Sequence, residues 1–97
     1  MTPSERARFI VRGRVQGVNF RMAAVDQATA RGLTGRVWNR DDGAVELIAE
    51  GEPAALGDLA KWLSVGPRSA TVESVERSEL VGGRHFRDFA ISDGLVR

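Results

Sequence analysis

The hydrophobic pattern of this chain changes period between Val11 and Arg21. Before that stretch, Arg8-Phe9-Ile10-Val11-Arg12 alternates with period two, so Phe9 and Val11 share one face of a strand and Arg8, Ile10 and Arg12 the other. After it, Phe20, Ala24 and Ala28 recur at helical spacing, with Ala23 and Val25 beside them, predicting a helix from about Phe20 to Arg31 that stops at Gly32. The link between the two is Gly13-Arg14-Val15-Gln16-Gly17-Val18-Asn19, with two glycines four apart and no acidic residue between them. Glycine permits the positive-φ turns of a tight loop and close approach of a ligand. Successive N–H groups curled in this way form an anion-binding nest, and the helix that follows adds its positive end and its orphan donors. Asn19 falls at the N-cap position. Arg21 falls in the first turn, where a planar guanidinium suits phosphate. The residues alone leave a second reading open, in which the glycines only turn a strand into a helix and Arg21 is solvated. The loop is not a nucleotide P-loop, because no Lys and no Ser or Thr follows Gly17, nor does it match the dinucleotide pattern GxGxxG.

The same changes of period recur down the chain. A second strand is expected over about Gly35 to Arg40, with Val37 and Asn39 on one face and Trp38 on the other. Asp41-Asp42-Gly43 is a hairpin turn. A third strand, Ala44 to Glu50, alternates Val45, Leu47 and Ala49 against Glu46, Ile48 and Glu50. Pro53 opens a second helix whose stripe is Leu56, Leu59, Ala60 and Leu63, and Gly66-Pro67 ends it. The fourth strand covers about Thr71 to Leu80, where Val72 and Val75 are out of phase and imply a bulge or a poorly defined register. The fifth is Phe86 to Ile91. The order βαββαβ plus one strand predicts an α+β, ferredoxin-like sandwich: a five-stranded, mostly antiparallel sheet with both helices on one face. In that topology strands one and two run parallel with strand three between them. Their carboxyl ends then lie beside the start of the first helix, and Asn39, on the helix-covered face, aims at the anion loop and Arg21. The alternative for Asn39 is a hairpin-end amide bonded to its own turn.

Gly13-Arg14-Val15-Gln16-Gly17-Val18-Asn19-Phe20-Arg21 closely resembles the acylphosphatase signature G-x-V-Q-G-V-x-F-R. A second family pattern, G-x-V-x-N-x-x-D-G-x-V, matches Gly35 through Val45. Looser matches follow at Gly66-Pro67 with Ala70 and Val72, and at Phe89-Ala90-Ile91. The resemblance spans nearly the whole chain in the right order. It implies hydrolysis of acyl phosphates to a carboxylate and inorganic phosphate, with Arg21 binding phosphate, Asn39 positioning water, and the backbone amides of Arg14, Val15, Gln16, Gly17, Val18 and Asn19 forming the phosphate-binding loop. Arg40 stands where some relatives carry Ser or Thr and is read as solvated.

The residues are consistent with that chemistry. Backbone donors, a guanidinium and a neutral amide offer no strong base and no nucleophile. An acyl phosphate needs neither, since its carboxylate leaving group has a conjugate-acid pKa near ~4, and a loose phosphoryl-transfer transition state asks mainly for positioning and charge stabilisation. No cofactor and no metal is expected. The chain has no Cys and a single His, His85, so thiol catalysis, disulfides and a His-rich metal site are excluded. With 97 residues, one domain is expected. A formal charge of +1 gives no footprint for nucleic acid. An RNA-binding sheet of this type stacks bases on open-face aromatics, and only Trp38 is available beside Ile10 and Ile48. That stripe is read instead as covered by cross-strand pairing and by Arg and Glu stems. No apolar run is long enough to span a bilayer, and Met1 to Arg6 leads into a strand without a leader core, so a cytoplasmic protein, with a monomer as the default, is the expectation. Two rival readings remain: a regulatory module that only binds a small anion, and a domain serving a separate partner protein.

Overall fold

A computed structural model describes residues 3–93, with the element order β1 (Glu5–Arg14), α1 (Phe20–Ala30), β2 (Thr34–Asn39), β3 (Val45–Gly51), α2 (Pro53–Leu63), β4 (Thr71–Leu80) and β5 (Phe89–Ile91). The sheet order is β4-β1-β3-β2-β5. All neighbouring pairs are antiparallel except β2 and β5, which run parallel. This is the ferredoxin-like sandwich that the alternating periods predict, with β3 inserted between β1 and β2.

The core follows from alternation. Phe9 and Val11 of β1, Val45, Leu47 and Ala49 of β3 and Val37 of β2 point to one face. Phe20, Ala24 and Ala28 of α1 and Leu56, Leu59 and Leu63 of α2 close over them. The Phe20 and Trp62 rings meet at 5.5 Å between centroids, so Trp62 is a packing residue. The out-of-phase valines of β4 are resolved by a bulge: Arg12 pairs with Ser74 but Gly13 with Val72, leaving Glu73 as the extra residue. Val72 and Val75 thereby both pack against the core. At that irregularity a Cβ on Gly13 would sit 2.2 Å from the Thr71 carbonyl oxygen, so only glycine lets β4 come this close. Gly13 thus belongs to β1, and the loop proper begins after Arg14.

The other face carries no helix, yet Trp38 and Ile48 are only 3% and 2% exposed. Ion pairs roof them. Glu46 meets Arg8 at 2.9 Å and Arg40 at 2.8 Å, and Arg40 also meets Asp42. The expectation that Arg40 is merely solvated is therefore corrected, because the register sets Glu46 within its reach. The fifth strand is shorter than the expected Phe86 to Ile91, and for a related reason. The N–H groups of His85 and Phe86 donate to the Glu50 carboxylate at 2.8 and 3.0 Å instead of to a strand. Arg6 and Thr34 donate to the same group, which is fully buried. Phe86 then lies under the Arg36 guanidinium, 4.7 Å from ring centre to cation.

Candidate active site

The loop between β1 and α1 curls because its backbone changes hand. Gly17 has φ 73° and Asn19 φ 63°, while Val18 between them keeps a negative φ. Such alternation turns successive N–H groups to a common side. Among the described residues no backbone carbonyl accepts from the N–H groups of Val15 through Arg21. Asn19 does occupy the N-cap position, but in the left-handed region and with no side-chain bond to the helix. Its cap is therefore backbone geometry, its carbonyl accepting from Ala23 N–H at 3.2 Å.

This turn borders a cavity of about 100 Å³, lined by Val15, Gly17, Asn19, Phe20, Arg21, Met22, Asn39 and Ile91. Arg21 reaches it from the first turn of α1 and has no ion pair among the described residues. Asn39 reaches it from the end of β2, on the face it shares with Val37. Its side-chain oxygen is buried and has no donor among the described residues, so the hairpin-end reading, in which the amide satisfies its own turn, does not hold for that oxygen. The turn is closed without it: Asp42 Oδ1 accepts from Ala44 N–H at 3.1 Å, and Arg40 N–H donates to Ala44 O at 2.8 Å. The Arg40 guanidinium and this Ala44 N–H hold the Asp42 carboxyl well below the usual carboxylate range, fixing it as a turn anion.

The remaining loop residues are placed differently. The Gln16 side chain turns away from the cavity and donates to Arg40 O at 2.8 Å and Ala44 O at 2.9 Å, tying the loop to the hairpin that carries Asn39. Val18 is half-buried, and its carbonyl accepts from the Ser69 hydroxyl at 2.8 Å. Arg14 is the exposed last residue of β1 and does not line the cavity. Sequence reasoning missed Met22 and Ile91, which complete the apolar rim and are 48% and 38% exposed. Met22 falls outside the Phe20, Ala24 and Ala28 stripe of α1, and the β2–β5 pairing brings Ile91 to the same cavity.

Comparison with known proteins fits this geometry. The family model for acylphosphatase matches residues 7–91, a span that holds the loop, Arg21, Asn39 and Ile91. The chain belongs to the acylphosphatase family. An acylphosphatase of Pasteurella multocida is 45% identical over 86 residues, covering 89% of this chain and 96% of that one. The solved acylphosphatase of Coxiella burnetii superposes with a TM-score of 0.88 at 37% identity, covering 93% of this chain and 94% of its own. That of Bacillus subtilis gives 0.87 at 38% identity, covering 91% and 98%. The resemblance of both sequence motifs to this family is thus matched by relatives across nearly the whole acylphosphatase domain.

Proposed function

We propose that this member of the acylphosphatase family hydrolyses the carboxyl–phosphate bond of small acyl phosphates with its own side chains and backbone, in the cytoplasm, as a monomer and without a metal. One observation carries the reading: unpaired donors and one unpaired acceptor converge on the same small cavity. Among the described residues the N–H groups of the loop and the Arg21 guanidinium are donors without acceptors, and the Asn39 side-chain oxygen is a buried acceptor without a donor. Donors of this kind suit the non-bridging oxygens of a phosphoryl group, whose charge they neutralise as the P–O bond loosens. The amides concerned are those of Val15, Gln16, Gly17, Val18 and Asn19; Arg14, expected with them from the resemblance, belongs to β1. A water held by Asn39 attacks phosphorus in line with the acyl oxygen. The P–O bond breaks, its electron pair leaves with the carboxylate, and the water proton passes to the phosphate. The products are a carboxylate and inorganic phosphate. The carboxylate needs no general acid to leave, which is why a site without a strong base or nucleophile suffices.

The test is hydrolysis of benzoyl phosphate or acetyl phosphate by the wild type and Asn39→Ala in the presence of EDTA. Turnover by the wild type, abolished in Asn39→Ala while inorganic phosphate still competes, is the expected result. Asn39→Ala that weakens phosphate binding but keeps kcat would remove the water-positioning role. Activity lost in EDTA and restored by a metal would overturn the metal-free scheme. A wild type that binds phosphate without turnover would move the protein to the anion-binding or partner-dependent reading.

A further inference from the structure

Ser69 lies outside both sequence motifs, in the segment that enters β4, fifty-one positions from the residue its hydroxyl contacts. It donates to the Val18 carbonyl oxygen at 2.8 Å. In a trans peptide the C=O and the N–H point in opposite directions, and the described residues contain no cis bond. Holding the Val18 carbonyl outward therefore turns the N–H of Asn19 inward, and Asn19 lines the cavity. We infer that Ser69 is a positioning residue that keeps the Val18–Asn19 peptide turned so that its N–H faces the phosphate site. This rests on the function proposed above and adds to it a residue that sets affinity.

The backbone supplies the reason such a clamp is needed. Asn19 has φ 63°, a conformation that costs an L-residue energy even though Asn tolerates it better than most. Rotating this one peptide plane changes Val18 ψ and Asn19 φ together and carries Asn19 to an ordinary negative φ. The helix would not oppose the flip, because the bond from Ala23 N–H to Asn19 O belongs to the next peptide. A flipped plane would present a carbonyl oxygen, in place of a donor, to an incoming anion. Among the described residues Ser69 is the group that bonds to the Val18 carbonyl in its outward position.

The experiment compares the wild type, Ser69→Ala, Ser69→Thr and the double variant Ser69→Ala with Asn19→Gly. The readouts are benzoyl phosphate kinetics, inhibition by inorganic phosphate, and the amide ¹⁵N shift of Asn19 on titration with inorganic phosphate. Losing one hydrogen bond that biases a peptide plane should raise KM and the phosphate inhibition constant about three- to ten-fold, with kcat changed much less. The Asn19 amide should respond to phosphate in the wild type and respond less in Ser69→Ala. Ser69→Thr should restore affinity. Asn19→Gly should recover part of the loss in Ser69→Ala, because glycine has no penalty at this φ. Unchanged phosphate affinity in Ser69→Ala, a fall in kcat alone, or no help from Asn19→Gly would overturn the assignment. Failure of the wild type to turn over benzoyl phosphate would count against the proposed activity only, since the phosphate titration still reads Ser69. No response of the wild-type Asn19 amide to phosphate would overturn the Ser69 role by itself.

Discussion

The sheet carries two sites of converging hydrogen-bond donors, at opposite ends of its strands and separated by roughly five residues of β3, about 17 Å. At one end the donors already have their anion. Glu50 is buried and accepts from Arg6, Thr34, His85 N–H and Phe86 N–H. At the other end, the loop and Arg21 line a cavity to which the described residues contribute no carboxylate. The first arrangement is complete within the chain and fastens the segment before β5 beneath the open face of the sheet. The second, as proposed above, takes its anion from the substrate. A buried polar cluster that satisfies itself stabilises a fold, whereas one left unsatisfied marks where a partner of opposite character binds.

The largest effect expected from this contrast is on catalysis. Arg21→Ala should lower kcat/KM by at least about a hundred- to a thousand-fold, the scale of removing one electrostatic donor to a developing oxyanion. Arg21→Lys should fail to restore it, since the bidentate fork is lost. Steady-state kinetics on benzoyl phosphate checks both, and near-normal activity in Arg21→Lys would break the geometric argument.

The Glu50 end should answer in stability instead. Glu50→Gln leaves Arg6 without its charge partner and sets an NH₂ group among donors, and denaturant unfolding at neutral pH should show a loss of about 3 kcal/mol. Burial works against the Glu50 carboxylate, but the His85 and Phe86 N–H groups, with Arg6 and Thr34, outweigh it and hold its pKa below the ordinary value of 4.5. A lowered folded pKa stabilises the protein above the unfolded value and ceases to do so as pH falls through the folded one. The gap between wild type and Glu50→Gln should therefore be full above about pH 5 and narrow at lower pH. A gap independent of pH would mean that the carboxylate's charge is not what matters there.

Inorganic phosphate sharpens the comparison from the other side. At a hundred times its dissociation constant it should stabilise the wild type by about 2.7 kcal/mol, read as a rise in Tm, and do little for Arg21→Ala. Glu50→Gln should retain that rise, since its own anion site is not the one phosphate fills. The smallest effect expected is that of Gln16→Ala. Without its two bonds to the Arg40 and Ala44 carbonyls, the loop and the Asn39 hairpin lose their direct tie. Turnover should fall about ten-fold with a loss of about 1–2 kcal/mol of stability.

How much of this was legible in the sequence differs between the two ends. The loop of the proposed phosphate site was readable because its parts are close in the chain: two glycines, a helix start and Arg21 lie within nine residues of one another. Asn39 was readable because alternation along a strand sets its face, and the parallel relation of β1 and β2 sets its end. The Glu50 anchor was not readable. Its donors come from positions 6, 34, 85 and 86, and a glutamate in an alternating strand ordinarily reads as solvent-facing. The same holds for Arg40, whose partner Glu46 is supplied by the β2–β3 register.

By itself, then, the sequence determined the order and type of the elements, the faces of the strands, the bulge implied by Val72 and Val75, and the pairing of Arg21 with Asn39 across the first and second motifs. These are consequences of periodicity and of local backbone chemistry, which act over a few residues. Only the tertiary structure decided that Glu50 is buried, that Gln16 faces the hairpin, that Ser69 holds Val18 and that Ile91 joins Met22 at the rim. Each depends on register and crossover packing between segments distant in sequence, and one residue of slip in any strand would turn a different set of side chains to each face.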